Sequence, residues 1–321
     1  MGSDLSRSDG AAVPGNGPKV LGLDIGGTHS RARLVAGDVV VAEALAPSAS
    51  VAAQGEDAAL AALDSLLAQL PLEAWLPLDC VCAGAAGLIS EPTIDKFDRR
   101  LAKLTADGLV LLVGDGFLVL PAAGLTDGVG VICGTGAVAF GQAGGRISRA
   151  GGWGYLLGDD GSGYWVVKQA IRELLDRAER GRPPGPLTAE LLAAAGATNV
   201  VALRDDVYAD PRPGKWAAFA PLVLSSDDPA SATIIAQVAD ALLLLVDAAV
   251  EGLGSPPDLP VVLAGGLTGH PRFQDDVVGR LRLARPGSPV SILQVAPVAG
   301  AVRLAQMACE GPVLGGARRI R

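Results

Sequence analysis

The 321-residue chain is half hydrophobic yet only 4% aromatic, so it has length for two compact cores built from Ala, Val and Leu, as in layered α/β proteins. Thirty-four acidic against 26 basic residues leave a net charge of −8, which excludes a general attraction to nucleic acid or anionic lipid. The longest apolar stretches, such as 241–246, are interrupted by Asp240 and Asp247 well before the roughly 18 to 20 residues that span a bilayer, so no membrane partner is expected.

Residues 1–17 are rich in Gly, Ser, Ala and Pro with no apolar segment, and read as a disordered leader, not a signal peptide; the cytoplasm is the expected compartment. Met1-Gly2 with Ser6 fits the myristoylation pattern, which is too short to carry weight. Three strands are expected at 19–23, 31–35 and 39–46, with Gly37-Asp38 as a hairpin signal. Helical periodicity follows over 56–70, then a buried strand at 78–83, a helix at 93–104 and a strand at 109–113 that delivers Asp115. A comparable run begins again with strands at 129–133, 137–141 and 146–149, which suggests a duplication. Helices are expected at 164–180, 230–253, 273–283 and 298–309, with strands at 259–264 and 290–294. Cys80, Cys82, Cys133 and Cys309 read as reduced thiols, and Cys80-Val81-Cys82 has neither zinc nor redox spacing. Arg318, Arg319 and Arg321 read as a solvated basic tail.

Glycine-flanked polar turns punctuate these strands in a fixed order: Asp24-Ile25-Gly26-Gly27-Thr28, then Asp115 between Gly114 and Gly116, then Gly134-Thr135-Gly136, then Gly265-Gly266. Glycine there lets the backbone approach a ligand and aim N–H groups at an anion. Each turn alone reads equally well as an ordinary turn; Asp159 alone reads also as a helix cap and Trp153 as a core plug. The order and spacing carry the weight.

With these residues the chain resembles the sugar-kinase, heat-shock-protein and actin superfamily, and within it the N-acetylglucosamine kinase branch related to the BadF/BadG/BcrA/BcrD ATPases. The run Gly151-Gly152-Trp153-Gly154-Tyr155-Leu156-Leu157-Gly158-Asp159-Asp160-Gly161-Ser162-Gly163-Tyr164-Trp165 is similar to a stretch typical of that branch. The resemblance implies two actin-like (ribonuclease H-like) α/β domains, 18–118 with 298–321 and 119–297, and a cleft between them for nucleotide and sugar. It implies ATP and Mg²⁺ as cofactors, with Gly26, Gly27, Thr28, Gly134, Thr135, Gly136, Gly265 and Gly266 on the nucleotide. Asp24 is then the metal-side carboxylate and Asp115 the base for the acceptor hydroxyl. Ser50, Gly84, Asp115, Gly152, Trp153, Gly154 and Asp159 fall on the sugar side, with the small residues at 83–87 leaving room for a 2-substituent. His29 and His270 lie beside two of the turns without a catalytic pattern.

Two departures bear on the substrate. Where family members carry an Asn after the third strand, this chain has Pro47-Ser48-Ala49-Ser50, and Ala137 stands where the second phosphate turn usually continues with Ser. The resulting expectation is an ATP-dependent kinase acting on the 6-hydroxyl of an amino sugar, N-acetylglucosamine or glucosamine, with room for a homodimer. The alternatives are an ATPase that activates an iron–sulfur dehydratase or reductase, which needs suitably placed cysteines, and a noncatalytic actin-like sugar sensor.

Overall fold

The computed structural model describes residues 17–86, 91–311 and 318–320. The expected leader up to residue 16, and Gly87 of the small-residue loop, lie outside them. The strands are β1 Lys19–Ile25, β2 His29–Ala36, β3 Val39–Pro47, β4 Cys80–Ala85, β5 Val110–Val113, β6 Gly128–Cys133, β7 Ala137–Ala143, β8 Arg146–Gly151, β9 Val261–Ala264, β10 Val290–Ile292 and β11 Arg318–Ile320.

They form two sheets, ordered β11-β5-β4-β1-β2-β3 and β10-β9-β6-β7-β8. In the first, β1 pairs antiparallel with β2 and β2 with β3, while β1, β4 and β5 run parallel. In the second, β6, β7 and β8 repeat the antiparallel run and β6, β9 and β10 the parallel one. The duplication legible in the sequence is therefore a repeat of topology. Burial follows pairing: all of β4, β5 and β9 is buried, whereas most of β3 is exposed or half-buried, as expected for covered parallel strands beside an open antiparallel edge.

Helix Glu56–Leu67 buries Leu63, Leu66 and Leu67 in the core under the first sheet. Helix Val298–Glu310 packs on β1 and β4 from the chain's far end. Behind the second sheet, helix Pro229–Gly252 lays Ile234, Ile235, Val238, Leu242 and Val246 into a core shared with helix Gly163–Glu179. By length and composition it is apolar enough to cross a membrane, as is the bent pair Pro186–Ala195 and Val200–Ala209. Its buried face packs against β7 and β8.

Some boundaries differ from the periodicity. The expected helix at 93–104 runs Glu91–Leu101 and tightens into a 3₁₀ turn, and that at 273–283 opens with a π-helical turn, Phe273–Val278. The basic tail is not simply solvated. Arg318–Ile320 pairs antiparallel with Val110–Leu112, because without it β5 would leave its outer backbone groups unpaired at a sheet edge.

Candidate active site

The parallel strands β1, β4 and β5 end together, and their carboxyl ends are where ligands gather in open α/β sheets. β1 runs past the expected limit to Ile25, which places Asp24 inside the ladder, opposite Arg31 on β2 and Gly84 on β4. β5 ends at Val113 and turns through Gly114 into a 3₁₀ turn that begins with Asp115. The Asp115 carboxylate accepts the Gly116 N–H at 3.0 Å. Burial pushes its pKa up, against the pull of that N–H and of the Arg149 guanidinium. Burial also pushes Asp24 up to about 7; the Asp115 charge adds to this and Arg31 opposes it.

The Asp24 shift has a consequence for stability. The carboxyl titrates at 3.8 when unperturbed and at about 7 in the fold, so the folded state holds the extra proton and stability falls as pH rises through that window. Asp24→Asn is therefore expected to raise the melting temperature more at pH 8 than at pH 5. Thermal melts of both proteins at the two pH values check this, and an equal gap at both would rule out a buried penalised carboxylate.

The glycine turns converge on this edge. Gly26 N–H donates to the His29 carbonyl at 3.1 Å, leaving Gly27 and Thr28 exposed at the tip. Thr28 Oγ1 lies 3.3 Å from Thr135 Oγ1, so the first sheet's turn touches the second's. Gly134 donates to the Gly136 carbonyl at 3.0 Å. Helix Gly163–Glu179, capped by Ser162 on the Trp165 N–H, donates its Gly163 N–H to the Gly134 carbonyl at 2.7 Å. Gly265 joins the cluster with φ 109°, and a Cβ there would sit 2.4 Å from the Cys133 carbonyl oxygen. All eight expected nucleotide-side residues lie in these three turns.

The residues expected on the sugar side have more varied surroundings. Asp159 holds a left-handed backbone, φ 62°. Its carboxylate stands behind the second turn, accepting the Ala137 N–H at 3.4 Å and filling the place a Gly136 side chain would take, 2.9 Å from that Cβ position. Burial raises its pKa too, against the N–H groups of Ala137 and Gly154. Trp153 does not plug a core: it is 71% exposed, with Leu156 and Leu157 exposed on the same loop. Gly152 and Gly154, at φ 69° and 84°, shape that loop. At Gly84 the missing side chain gives no free room, because Leu118 would lie 2.4 Å from a Cβ there. Ser50 is 1% exposed and donates its hydroxyl proton to the Ala86 carbonyl, while Ser48 donates to the Gly26 carbonyl. The Ser48–Ser50 segment thus braces the first glycine turn and the loop at Ala86.

Sequence reading missed Arg149 on β8. Its Nη2 donates to the Gly152 carbonyl at 2.7 Å, and its guanidinium lies 5.6 Å from the Trp153 ring centroid and 6.0 Å from that of Phe140. The signal available was an arginine on the strand leading into the Gly151–Gly154 turn. His29 is exposed at the first turn, and His270 Nε2 meets Ser225 Oγ at 2.9 Å. Neither is placed with the carboxylates.

Residues 21–305 match the BadF/BadG/BcrA/BcrD ATPase family, and the chain belongs to it. It is 30% identical over 242 residues to the N-acetylmuramic acid/N-acetylglucosamine kinase of Clostridium acetobutylicum, covering 72% of this chain and 78% of that one. It is 27% identical over 269 residues to the N-acetyl-D-glucosamine kinase of Dictyostelium discoideum, covering 77% of this chain and 84% of that one. A structure from Chromobacterium violaceum, provisionally called an N-acetylglucosamine kinase, superposes with a TM-score of 0.72 at 26% identity, over 89% of this chain and 98% of that one. The fold is the actin-like one that the family resemblance implied.

Proposed function

We propose that the protein is an ATP-dependent kinase that phosphorylates the 6-hydroxyl of an amino sugar, N-acetylglucosamine or glucosamine. One observation carries the reading: a half-buried carboxylate, Asp115, stands at the strand ends beside Asp24 where two glycine turns from separate sheets meet through Thr28 and Thr135. The names of the two kinase relatives support the same chemistry. We read 18–118 with 298–321 as one domain and 119–297 as the other, with the site between them.

Phosphoryl transfer asks chiefly for positioning and charge stabilisation. The backbone N–H groups of the Gly26–Thr28 and Gly134–Gly136 turns, with the two threonine hydroxyls, cradle the phosphates, and the turn at Gly265-Gly266 holds the adenosine. Asp115 accepts the proton of the sugar hydroxyl as its oxygen bonds to the γ-phosphorus and the bond to the departing ADP oxygen breaks. Its raised pKa makes it the stronger base while ionised. Asp24, a partly buried carboxylate whose charge the fold leaves penalised, fits a magnesium ion that keeps most of its waters; such an ion supplies positive charge to the phosphates. Gly84, Gly152, Gly154, Trp153 and Asp159 border the sugar, and Ser50 shapes that border through the loop it closes.

Cys80, Cys82 and Cys133 are buried and Cys309, on the last helix, is exposed without a second surface thiol to pair with, which weighs against the iron–sulfur activator reading. A coupled ADP-release assay across N-acetylglucosamine, glucosamine, N-acetylmannosamine, N-acetylmuramate and glucose tests the proposal. Sugar-dependent release is expected, greatest with N-acetylglucosamine or glucosamine, with phosphorus-coupled NMR of the product placing the phosphate on O6. ADP release that ignores every sugar would overturn it.

A further inference from the structure

Arg149 has a setting that the kinase reading does not absorb. β8 presents it opposite Phe140 of β7. Phe140 in turn packs on the turn that carries the catalytic carboxylate: a Cβ at Gly116 would lie 1.8 Å from its ring, and its ring centroid is 4.7 Å from that of Phe117. The guanidinium lies 6.0 Å from the Phe140 ring centroid and 5.6 Å from that of Trp153, and its Nη2 is tied to the Gly152 carbonyl. Its charge is felt by both Asp115 and Asp159. Yet among the described residues no carboxylate forms an ion pair with it. An exposed arginine within 6.0 Å of two ring centroids, with one hydrogen bond and the rest of its planar fork of donors unspent among the described residues, is suited to bidentate recognition of an oxyanion.

We propose that Arg149 is the oxyanion-binding residue of the acceptor side, its guanidinium holding a carboxylate or phosphoryl group carried by the amino sugar. The proposal rests on the kinase reading for the sugar and on the geometry around Phe140 and Trp153 for the anion. Two sources have the required chemistry: a carboxylate substituent on an acidic amino sugar, and the phosphoryl group that arrives on O6. Position separates this group from the nucleotide turns, because Arg149 is linked to the Asp115 turn through Phe140 and to the sugar-side loop through Gly152 and Trp153.

The test uses Arg149→Met, which keeps the apolar stem and removes the charge, and Arg149→Lys, which keeps charge but loses the fork. Calorimetry with N-acetylglucosamine, N-acetylglucosamine 6-phosphate, N-acetylmuramate and ADP needs no turnover, so its outcome stands apart from the ADP-release assay that judges the kinase reading. Arg149→Met is expected to weaken the 6-phosphate, N-acetylmuramate or both by about tenfold or more, the loss typical of a charged hydrogen bond, while neutral N-acetylglucosamine loses less. Arg149→Lys should recover part of this. Loss confined to N-acetylmuramate assigns the carboxylate as the source, and loss confined to the 6-phosphate assigns the phosphoryl group. Equal weakening of the neutral sugar, loss of ADP affinity by the same factor, or no anionic sugar bound by the wild type would each overturn the proposal.

Discussion

Asp115→Asn is expected to lower kcat by at least about 100-fold, the span over which a positioned general base contributes. Asparagine keeps the shape and can still accept the Gly116 N–H, so the turn and its packing on Phe140 should persist. What disappears is the site that takes the proton from the attacking hydroxyl. KM for ATP and affinity for the sugar should change little, because the loss falls on the chemical step. In the wild type, the upward-shifted carboxyl predicts that kcat declines on the acid side as Asp115 becomes protonated, and this limb should vanish from the variant's residual rate. Steady-state kinetics from pH 5 to 9 provide the check. More than roughly a tenth of wild-type turnover at saturating substrates would exceed what losing a base should leave and would remove Asp115 from that role.

Gly265→Ala is expected to have the second large effect, this time on the nucleotide turn and on the fold together. At φ 109° the backbone is where L-residues are strained, and the new Cβ would meet the Cys133 carbonyl oxygen at 2.4 Å. That oxygen ends β6, the central strand of the second sheet, and cannot swing aside as a flexible side chain would. Strain and displacement together should cost about 2 to 4 kcal/mol and weaken ADP binding well beyond any change in sugar binding. Gly266→Ala is the control: nothing lies within 4 Å of its Cβ position, so its stability should stay within about 0.5 kcal/mol of wild type. Denaturant titration and ADP calorimetry on both variants decide the matter. A Gly265→Ala protein as stable and as tight for ADP as wild type would show that this turn is neither strained nor part of the site.

What could be read from the sequence was set by local signals. Continuous apolar runs ending in Gly-flanked polar residues place β1, β5, β6 and β9, because a strand covered on both faces has no polar alternation to dilute it. The order of the glycine turns then carried the two-sheet architecture, and the family match over residues 21–305 agrees with it. Contacts made across the chain were not legible. Nothing local in Arg149 announces Phe140 and Trp153 as its neighbours, and nothing in Gly84 reveals that Leu118 claims its space. Ser50 illustrates the same limit: an isolated hydroxyl after a strand looks available to a ligand, whereas its partner, Ala86, lies 36 residues away. The tail failed for a related reason, since three residues that pair with a distant edge strand have no periodicity of their own.

The contact between Thr28 and Thr135 bears on how the molecule would take up its nucleotide. Each hydroxyl is anchored to a different sheet, so a phosphate bound as proposed would come between two groups that are already in contact. On the proposed kinase reading, entry would have a parting step, and with both hydroxyls turned to the phosphate the nucleotide would itself be the rivet joining the two halves. Affinity and closure are in that case a single linked equilibrium. A substitution that merely loosens this contact, such as Thr135→Ala, would alter how fast nucleotide comes and goes as well as how firmly it is held.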